Sequence, residues 1–127
     1  MAYLKPPTFL RKVINPLAMR TGIGGTTALV VRRRRSGGTQ TVPVVPIEHD
    51  GVRYVVSARG ESEWVRNLRA AGRLELGGRS YAASEVPVSE REPIIGAYRA
   101  KAGRSVASFW RALPRDEDHP TFRLEPV

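Results

Sequence analysis

The sequence predicts a small antiparallel β-barrel with peripheral helices, in the mainly β (α+β) class. Short β-branched segments recur between residues 26 and 86 and again near the end of the chain, and glycine-containing turns separate most of them. About six strands joined mainly by hairpins, with one helix among them, favour a barrel over a parallel doubly wound sheet. The 127 residues show no second composition regime, so we expect one domain over residues 1–127.

The strands are predicted from β-branched runs and turn residues. Residues 26–33 form the first strand, and residues 40–49 form a second one. Pro43 and Pro46 lack a backbone N–H, which places the second strand at an edge or a bulge. Asp50 and Gly51 predict a two-residue primed turn into a third strand over residues 52–57. Residues 73–76 and 79–86 predict a further hairpin, and residues 121–124 close the sheet.

Helices are predicted in four places. Residues 8–20 form a basic amphipathic helix, for which three roles stay open: covering the barrel end, a lid over a site, or contact with a membrane surface. Residues 61–71 form a helix that Gly72 ends. Ser89 and Glu92 have the spacing of a capping box, so a helix is expected from about residue 90. Another helical piece covers residues 106–113.

Charge and composition restrict the function. Lys and Arg total 21 against 12 Asp and Glu, a net charge of +9, so the natural partner is an anion. The absence of cysteine excludes disulfides, iron–sulfur clusters and thiolate metal sites, and the two histidines, His49 and His119, do not predict a metal site. The apolar runs are short and the first 20 residues lack a signal-peptide core, so we expect a cytoplasmic protein.

Two segments predict anion binding. Arg33, Arg34 and Arg35 enter a turn that also contains Ser36 and Gly37, where guanidinium groups, a hydroxyl and backbone N–H groups are available to a phosphate or carboxylate. A solvated basic loop and a nucleic-acid contact are the alternatives. The second segment precedes the helix at residues 61–71, whose N-terminus favours an anion, and an ordinary turn is the alternative. Its residues are Ser57, Ala58, Arg59 and Gly60.

Catalytic motifs of the common enzyme classes are missing from the sequence. It contains no nucleophile elbow, Walker loop or dinucleotide-binding fingerprint. If the protein is an enzyme, a bound cofactor is therefore expected to supply the reactive group.

The sequence resembles the deazaflavin-dependent nitroreductase family over about residues 13–125. The resemblance rests on five segments. They are the basic turn at residues 33–37, TVPV at residues 41–44, Asp50 with Gly51, YVVSARGESEWVRNLRAAG at residues 54–72, and HPTFRL near the end. It implies a split β-barrel, like that of FMN-binding proteins, which binds the reduced deazaflavin coenzyme F-420 and passes its hydride to a quinone, a nitroaromatic compound or a similar acceptor. Many family members carry basic residues where Gly38 and Gln40 stand here.

The resemblance also implies roles for individual residues. The basic turn would hold the phosphodiester and oligoglutamate tail of the coenzyme, the second strand would lie under its ring, and residues 57–60 would bind ring or phosphate, with the following helix at the border of the pocket. The implied cofactor-binding residues are Arg33, Arg34, Arg35, Ser36, Gly37, Thr41, Pro43, Val44, Ser57, Ala58, Arg59, Gly60, Trp64 and Asn67. No catalytic side chain is assigned.

The expected function is thus an F-420-dependent oxidoreductase with a small-molecule hydride acceptor. Two alternatives stay open: a non-catalytic flavin or deazaflavin carrier, and a nucleic-acid-binding module, which the absence of a recognition motif disfavours. FMN is the less favoured cofactor and heme a minor alternative. We expect a monomer or homodimer, with peripheral contact at the inner face of the membrane left open through the helix at residues 8–20.

Overall fold

Seven antiparallel strands form one sheet in the computed structural model, which describes residues 25–127. The strands are β1 Thr27–Arg32, β2 Thr39–Val44, β3 Ile47–His49, β4 Val52–Val56, β5 Arg73–Leu76, β6 Arg79–Glu85 and β7 Thr121–Pro126. The helices are α1 Glu63–Ala71, α2 Glu92–Ala102 and α3 Ala107–Ala112, with 3₁₀ turns at Val88–Glu90, Gly103–Val106 and Asp116–Asp118. The helix expected at residues 8–20 lies outside the described residues.

The spatial order of the strands is β2-β1-β5-β6-β7-β4-β3. β2 and β3 therefore occupy opposite edges of the sheet, although only Val45 and Pro46 separate them in the chain. Two residues span such a gap only if the sheet curls until its edges approach each other. The result is a split β-barrel with peripheral helices, which confirms the predicted fold class.

The prediction of one continuous strand over residues 40–49 is wrong. The strand is divided after Val44 and resumes at Ile47, because the chain leaves one edge of the curled sheet and joins the other. Pro46 lies in this link and supplies no N–H to a ladder. The edge position that the two prolines predicted is confirmed for both halves of the segment, and the division accounts for seven strands where about six were expected.

The hairpins agree with the turn residues. Asp50 and Gly51 have φ values of 51° and 77°, the left-handed pair that a primed turn between β3 and β4 requires. Gly77 and Gly78 have φ values of 57° and 84° at the turn between β5 and β6. The local sequence therefore specifies both turns.

Two hydrophobic clusters lie on opposite faces of the sheet. Within the barrel, α1 packs Trp64, Val65 and Leu68 against strand residues that include Leu29, Val55 and Phe122. On the other face, α2 and α3 cover Ile47, Tyr54 and Val56 with a group of apolar side chains that includes Ile94, Ile95, Tyr98 and Trp110. β4 serves both clusters because successive side chains of a strand point to opposite faces.

The capping box predicted for α2 is not formed. The helix begins at Glu92, two residues later than expected, and Ser89 lies within a 3₁₀ turn. Arg91 occupies the position before the helix, and no side chain caps the first turn. α1 ends as predicted, because Gly72 adopts the left-handed conformation, φ 70°, and its N–H donates to the Leu68 carbonyl.

Candidate anion-binding site

The basic turn, residues 33–38, connects β1 to β2. The Arg33 N–H donates to the Gly38 carbonyl at 2.8 Å, which closes the turn, and Gly37 provides a φ of 77°. The Gly38 N–H donates to the Ser36 hydroxyl at 3.3 Å. The turn has a defined shape because these bonds fix its backbone.

Asn67 attaches the basic turn to α1. Its Oδ1 accepts from the Arg34 backbone N–H at 3.2 Å and from Arg34 Nη1 at 2.8 Å, and its Nδ2 donates to Gln40 Oε1 at 2.8 Å. The Asn67 residue is only 1% exposed, so these partners satisfy an amide that water cannot reach. Glu63, one helical turn earlier, pairs with Arg34 Nη1 at 2.8 Å. Arg34 is therefore a structural arginine.

A cavity of about 220 Å³ opens between the turn and the helix. Its walls carry three cations and one carboxylate, and its lining residues are Arg33, Arg34, Arg35, Ser36, Glu63 and Asn67. Glu63 balances Arg34, whereas the exposed side chains of Arg33 and Arg35 make no hydrogen bond or ion pair with any of residues 25–127. Guanidinium forks are suited to bind a phosphate or carboxylate bidentately.

Five of the residues that the sequence predicts for the site line this cavity, namely Arg33, Arg34, Arg35, Ser36 and Asn67. Gly37 lies in the same turn. Sequence reasoning missed the contribution of Glu63 and assigned Gln40 no contact. Glu63 is four residues before Asn67 on one helix, and this spacing was an available signal. Gln40 accepts from the Asn67 amide, which a lysine or arginine at that position could not do.

The predicted residues of β2 do not line this cavity. Thr41 is exposed and Pro43 is half-buried, whereas Val44 belongs to the barrel core. Alternate residues of a strand point to opposite faces, so Thr41 and Pro43 share one face and Val44 the other. Only the first two are placed to meet a ligand on the outside of this edge strand.

The turn at residues 57–60, which follows β4 and precedes α1, is held by internal contacts. The buried Ser57 hydroxyl donates to the Gly60 carbonyl at 2.6 Å, and Gly60 has a φ of 87°. Ala58 packs against the cluster under α2 and α3, and the Arg59 guanidinium lies 4.5 Å from the centre of the Phe109 ring. Because its hydroxyl is occupied inside the turn, Ser57 shapes the turn rather than presenting a free hydroxyl.

Trp64 is placed in the barrel core. It is 8% exposed, and its ring centre lies 6.3 Å from that of Phe122 at an interplanar angle of 53°. It follows Glu63 on α1, but it does not line the cavity. Its ring therefore supports α1 from within the barrel.

A second charged cluster lies at the other side of α1. Arg69 binds Glu61 at 3.0 Å and Glu85 at 2.8 Å, and Glu85 also pairs with Arg91 at 3.3 Å. Arg91 is 5% exposed and donates to the Val86 carbonyl at 2.9 Å and the Asp116 carbonyl at 3.2 Å. The hydrogen bond from Arg69 and the charges of both arginines hold the pKa of Glu85 below its usual value, although burial opposes this. This cluster joins α1, β6 and the start of α2.

Residues 25–127 contain no group of three or more His, Cys, Asp or Glu side chains arranged to hold a metal ion. Among the helices of the same residues, none combines the length and apolar character needed to cross a membrane.

Comparisons with known proteins find solved structures with a similar fold but no similar family model or curated protein. Among solved structures, an F420-H2 dependent reductase, FDR-A, is similar with a TM-score of 0.58 and 21% identity, over 80% of this chain and 94% of that one. The similarity is one of fold.

Two further structures share this fold. The heme storage protein HutZ from Vibrio cholerae aligns with a TM-score of 0.57 and 15% identity, over 87% of each chain. A solved domain-swapped dimer aligns with a TM-score of 0.56 and 19% identity, over 95% of this chain and all of that chain (100%). The architecture is thus shared by proteins with different ligands, and the chemistry of this chain has to be argued from its own residues.

Proposed function

We propose that the protein is an oxidoreductase of the nitroreductase or quinone reductase type that binds reduced coenzyme F-420. The observation that carries the proposal is the cavity beside the basic turn, where Arg33 and Arg35 have no partner among the described residues. The coenzyme carries a phosphodiester and an oligoglutamate tail, and both groups match guanidinium forks. The fold shared with FDR-A, a reductase that depends on F420-H2, supports the same proposal.

The residues of the cavity fit the tail of this cofactor. Arg33 and Arg35 would bind its anionic groups, the Ser36 hydroxyl would add a hydrogen bond, and Arg34 would keep the turn in place through Asn67 and Glu63. Thr41 and Pro43 on β2 and the 57–60 turn would lie along the ring. The bound cofactor would supply the hydride, and the chain would hold and orient it, so that positioning accounts for most of the rate.

No side chain is assigned as a proton donor. Tyr98 is the tyrosine closest in sequence to the aromatic cluster of α3, and burial raises the pKa of its hydroxyl to about 12. Its ring packs against Trp110, with the two ring centres 5.9 Å apart. The Tyr98 ring packs in the cluster under α2 and α3, and Tyr98 does not line the cavity between α1 and the basic turn.

A carrier of a flavin, deazaflavin or heme is the second candidate, because the heme storage protein HutZ has the same fold. Anaerobic mixing of the protein with menadione and reduced F-420, both in molar excess over the protein, distinguishes the two. A reductase oxidises the cofactor in repeated turnovers, whereas a carrier leaves it reduced or releases it before oxidation.

Parallel titrations with F-420, FMN and heme test the cofactor assignment. We expect saturable binding of F-420 at the lowest concentration, with weaker binding of FMN because it lacks the oligoglutamate tail. Preferred binding of FMN or heme contradicts the proposal. The fold shared with a domain-swapped dimer makes a homodimer the assembly to test beside the monomer, by native mass spectrometry of the same samples.

A further inference from the structure

Ser36 carries the exposed hydroxyl of the basic turn and lines the cavity beside α1. Its oxygen accepts a hydrogen bond from the Gly38 N–H at 3.3 Å. Within residues 25–127 no acceptor takes the Ser36 hydroxyl proton, and the bond that closes the turn joins the backbones of Arg33 and Gly38. The hydroxyl is therefore accessible to an enzyme, and the turn keeps its closing bond when the hydroxyl is modified.

The charge before Ser36 distinguishes it from the other serines and threonines of the chain. Arginines occupy all three preceding positions, residues 33–35. No other serine or threonine has more than one Lys or Arg among the three residues before it. Ser80 and Ser105, which are also exposed, each follow a single arginine. Protein kinases select substrates by such charge patterns, and this one favours a kinase whose substrate cleft is acidic.

A phosphate on Ser36 would meet cations that have no partner among the described residues. Arg33 and Arg35 belong to the same turn and line the same cavity. Phosphoserine carries a charge of about −1.5 to −2 at neutral pH and three acceptor oxygens, which guanidinium groups bind bidentately. Glu63, the carboxylate of the cavity, is bound to Arg34 at 2.8 Å. Because the phosphate is covalently attached, it would meet the two guanidinium groups at a high effective concentration.

We propose that Ser36 is a phosphorylation site for an arginine-directed serine/threonine kinase, and that the phosphoserine binds Arg33 and Arg35. The Ser36 oxygen forms a bond to the γ-phosphorus of ATP while the bond from that phosphorus to the β–γ bridging oxygen breaks. The hydroxyl proton passes to the catalytic base of the kinase, and ADP leaves.

Phosphorylation then closes the anion site from within the protein. The phosphate occupies the two guanidinium groups and adds negative charge where the anionic tail of F-420 would bind. The modification follows from the turn alone, whereas its effect on F-420 rests on the proposed function.

Site mapping on the folded chain tests the modification. The unmodified protein, Ser36→Ala and Ser105→Ala are incubated with ATP and the catalytic subunit of cyclic-AMP-dependent protein kinase, which is arginine-directed, and the products are mapped by tandem mass spectrometry. We expect one phosphate on Ser36 in the unmodified protein and in Ser105→Ala, and none in Ser36→Ala. A peptide of residues 30–40 is the positive control. Phosphate mainly on Ser80 or Ser105, or a modified peptide beside an unmodified protein, overturns the proposal.

Protein with phosphoserine placed at residue 36 during translation tests the consequence. We expect the side-chain Nε–H NMR signals of Arg33 and Arg35 to shift, with that of Arg79 unchanged as the reference. F-420 affinity should fall at least about tenfold, the lower scale for a charge-assisted hydrogen bond, and by less than that in Ser36→Ala.

The outcomes separate the two proposals. Unshifted signals of Arg33 and Arg35 overturn the binding of the phosphate, and undiminished F-420 affinity of the phosphorylated protein overturns the closure of the site. Shifted arginine signals in a protein that binds no F-420 even without the phosphate contradict the proposed function and support the phosphorylation site.

Discussion

Arginines on the two sides of α1 have opposite environments. At one side, Arg69 and Arg91 are joined to Glu61 and Glu85, and Arg91 is buried. At the other side, Arg33 and Arg35 extend from the basic turn into solvent without a described partner. Among the described residues, the paired and the unpartnered arginines therefore lie on different sides of this helix.

The difference shows that arginine has two roles in this protein. A guanidinium that is paired and buried contributes to the fold, because its removal leaves acceptors without donors. A guanidinium held near others without a carboxylate adds nothing to stability but raises the local positive potential. Arg34 stands between these cases, since it faces the cavity and yet is bound by Glu63 and Asn67. We therefore expect stability and anion binding to respond to different arginines.

The largest effect on stability is expected for Arg91→Ala. The substitution removes one of the two arginine partners of Glu85, whose other partner is Arg69. It also removes the hydrogen bonds that Arg91 donates to the Val86 and Asp116 carbonyls. We expect the free energy of unfolding to fall by about 3 kcal/mol, the scale for breaking a buried ion pair. Urea denaturation measures this change. A loss below about 0.5 kcal/mol would show that the paired side of α1 is not structural.

Asn67→Ala should have the next largest effect. It removes the buried amide that binds Arg34 and Gln40, and we expect a loss of about 2 kcal/mol in unfolding free energy. Because the basic turn loses its attachment to α1, its backbone amides should also exchange faster with solvent. The matched control is Arg66→Ala on the exposed face of α1, which should change neither quantity appreciably. Unchanged exchange in the turn would contradict the role of Asn67.

A fall in pH is expected to weaken the contribution of Glu85 to the stability of the paired side of α1. Its pKa is lowered in the folded protein, so its contribution to stability is present at neutral pH and is lost as the pH falls below the usual glutamate value, ~4.3, through the folded value. We expect the difference in unfolding free energy between the unmodified protein and Glu85→Gln to shrink over that range. The effect should be smaller than that of Arg91→Ala, since Glu85 is partly exposed. A difference that does not depend on pH would rule out this linkage.

The parts of the fold that depend on neighbouring residues were predictable from the sequence. The turn at Asp50 and Gly51 and the end of α1 at Gly72 follow from the left-handed conformations that these residues allow. The division of the predicted second strand was not predictable in this way. It depends on the curl of the sheet, which brings β2 and β3 to opposite edges of a nearly closed barrel.

The same limit applies to the site. The arginine run shows in the sequence, but which arginine is structural depends on Asn67, 33 residues further along the chain. The contacts of His119 join carbonyls 62 and 6 residues away, and no local pattern indicates them. The position of Trp64 on α1 was predictable from neighbouring residues. Its burial in the barrel core was not, because that core is formed by strands distant in sequence.

Calorimetric titration with F-420 at low and high salt tests most directly whether Arg33 and Arg35, which have no partner among residues 25–127, bind the anionic tail. The unmodified protein is compared with Arg33→Ala/Arg35→Ala and with Arg79→Ala/Arg104→Ala, which removes two exposed arginines elsewhere. We expect the first variant to bind about tenfold more weakly at low salt, with a flatter salt dependence and unchanged stability, and the second to bind nearly normally. Equal losses in both variants, or none in the first, would contradict a role of Arg33 and Arg35 in binding the tail.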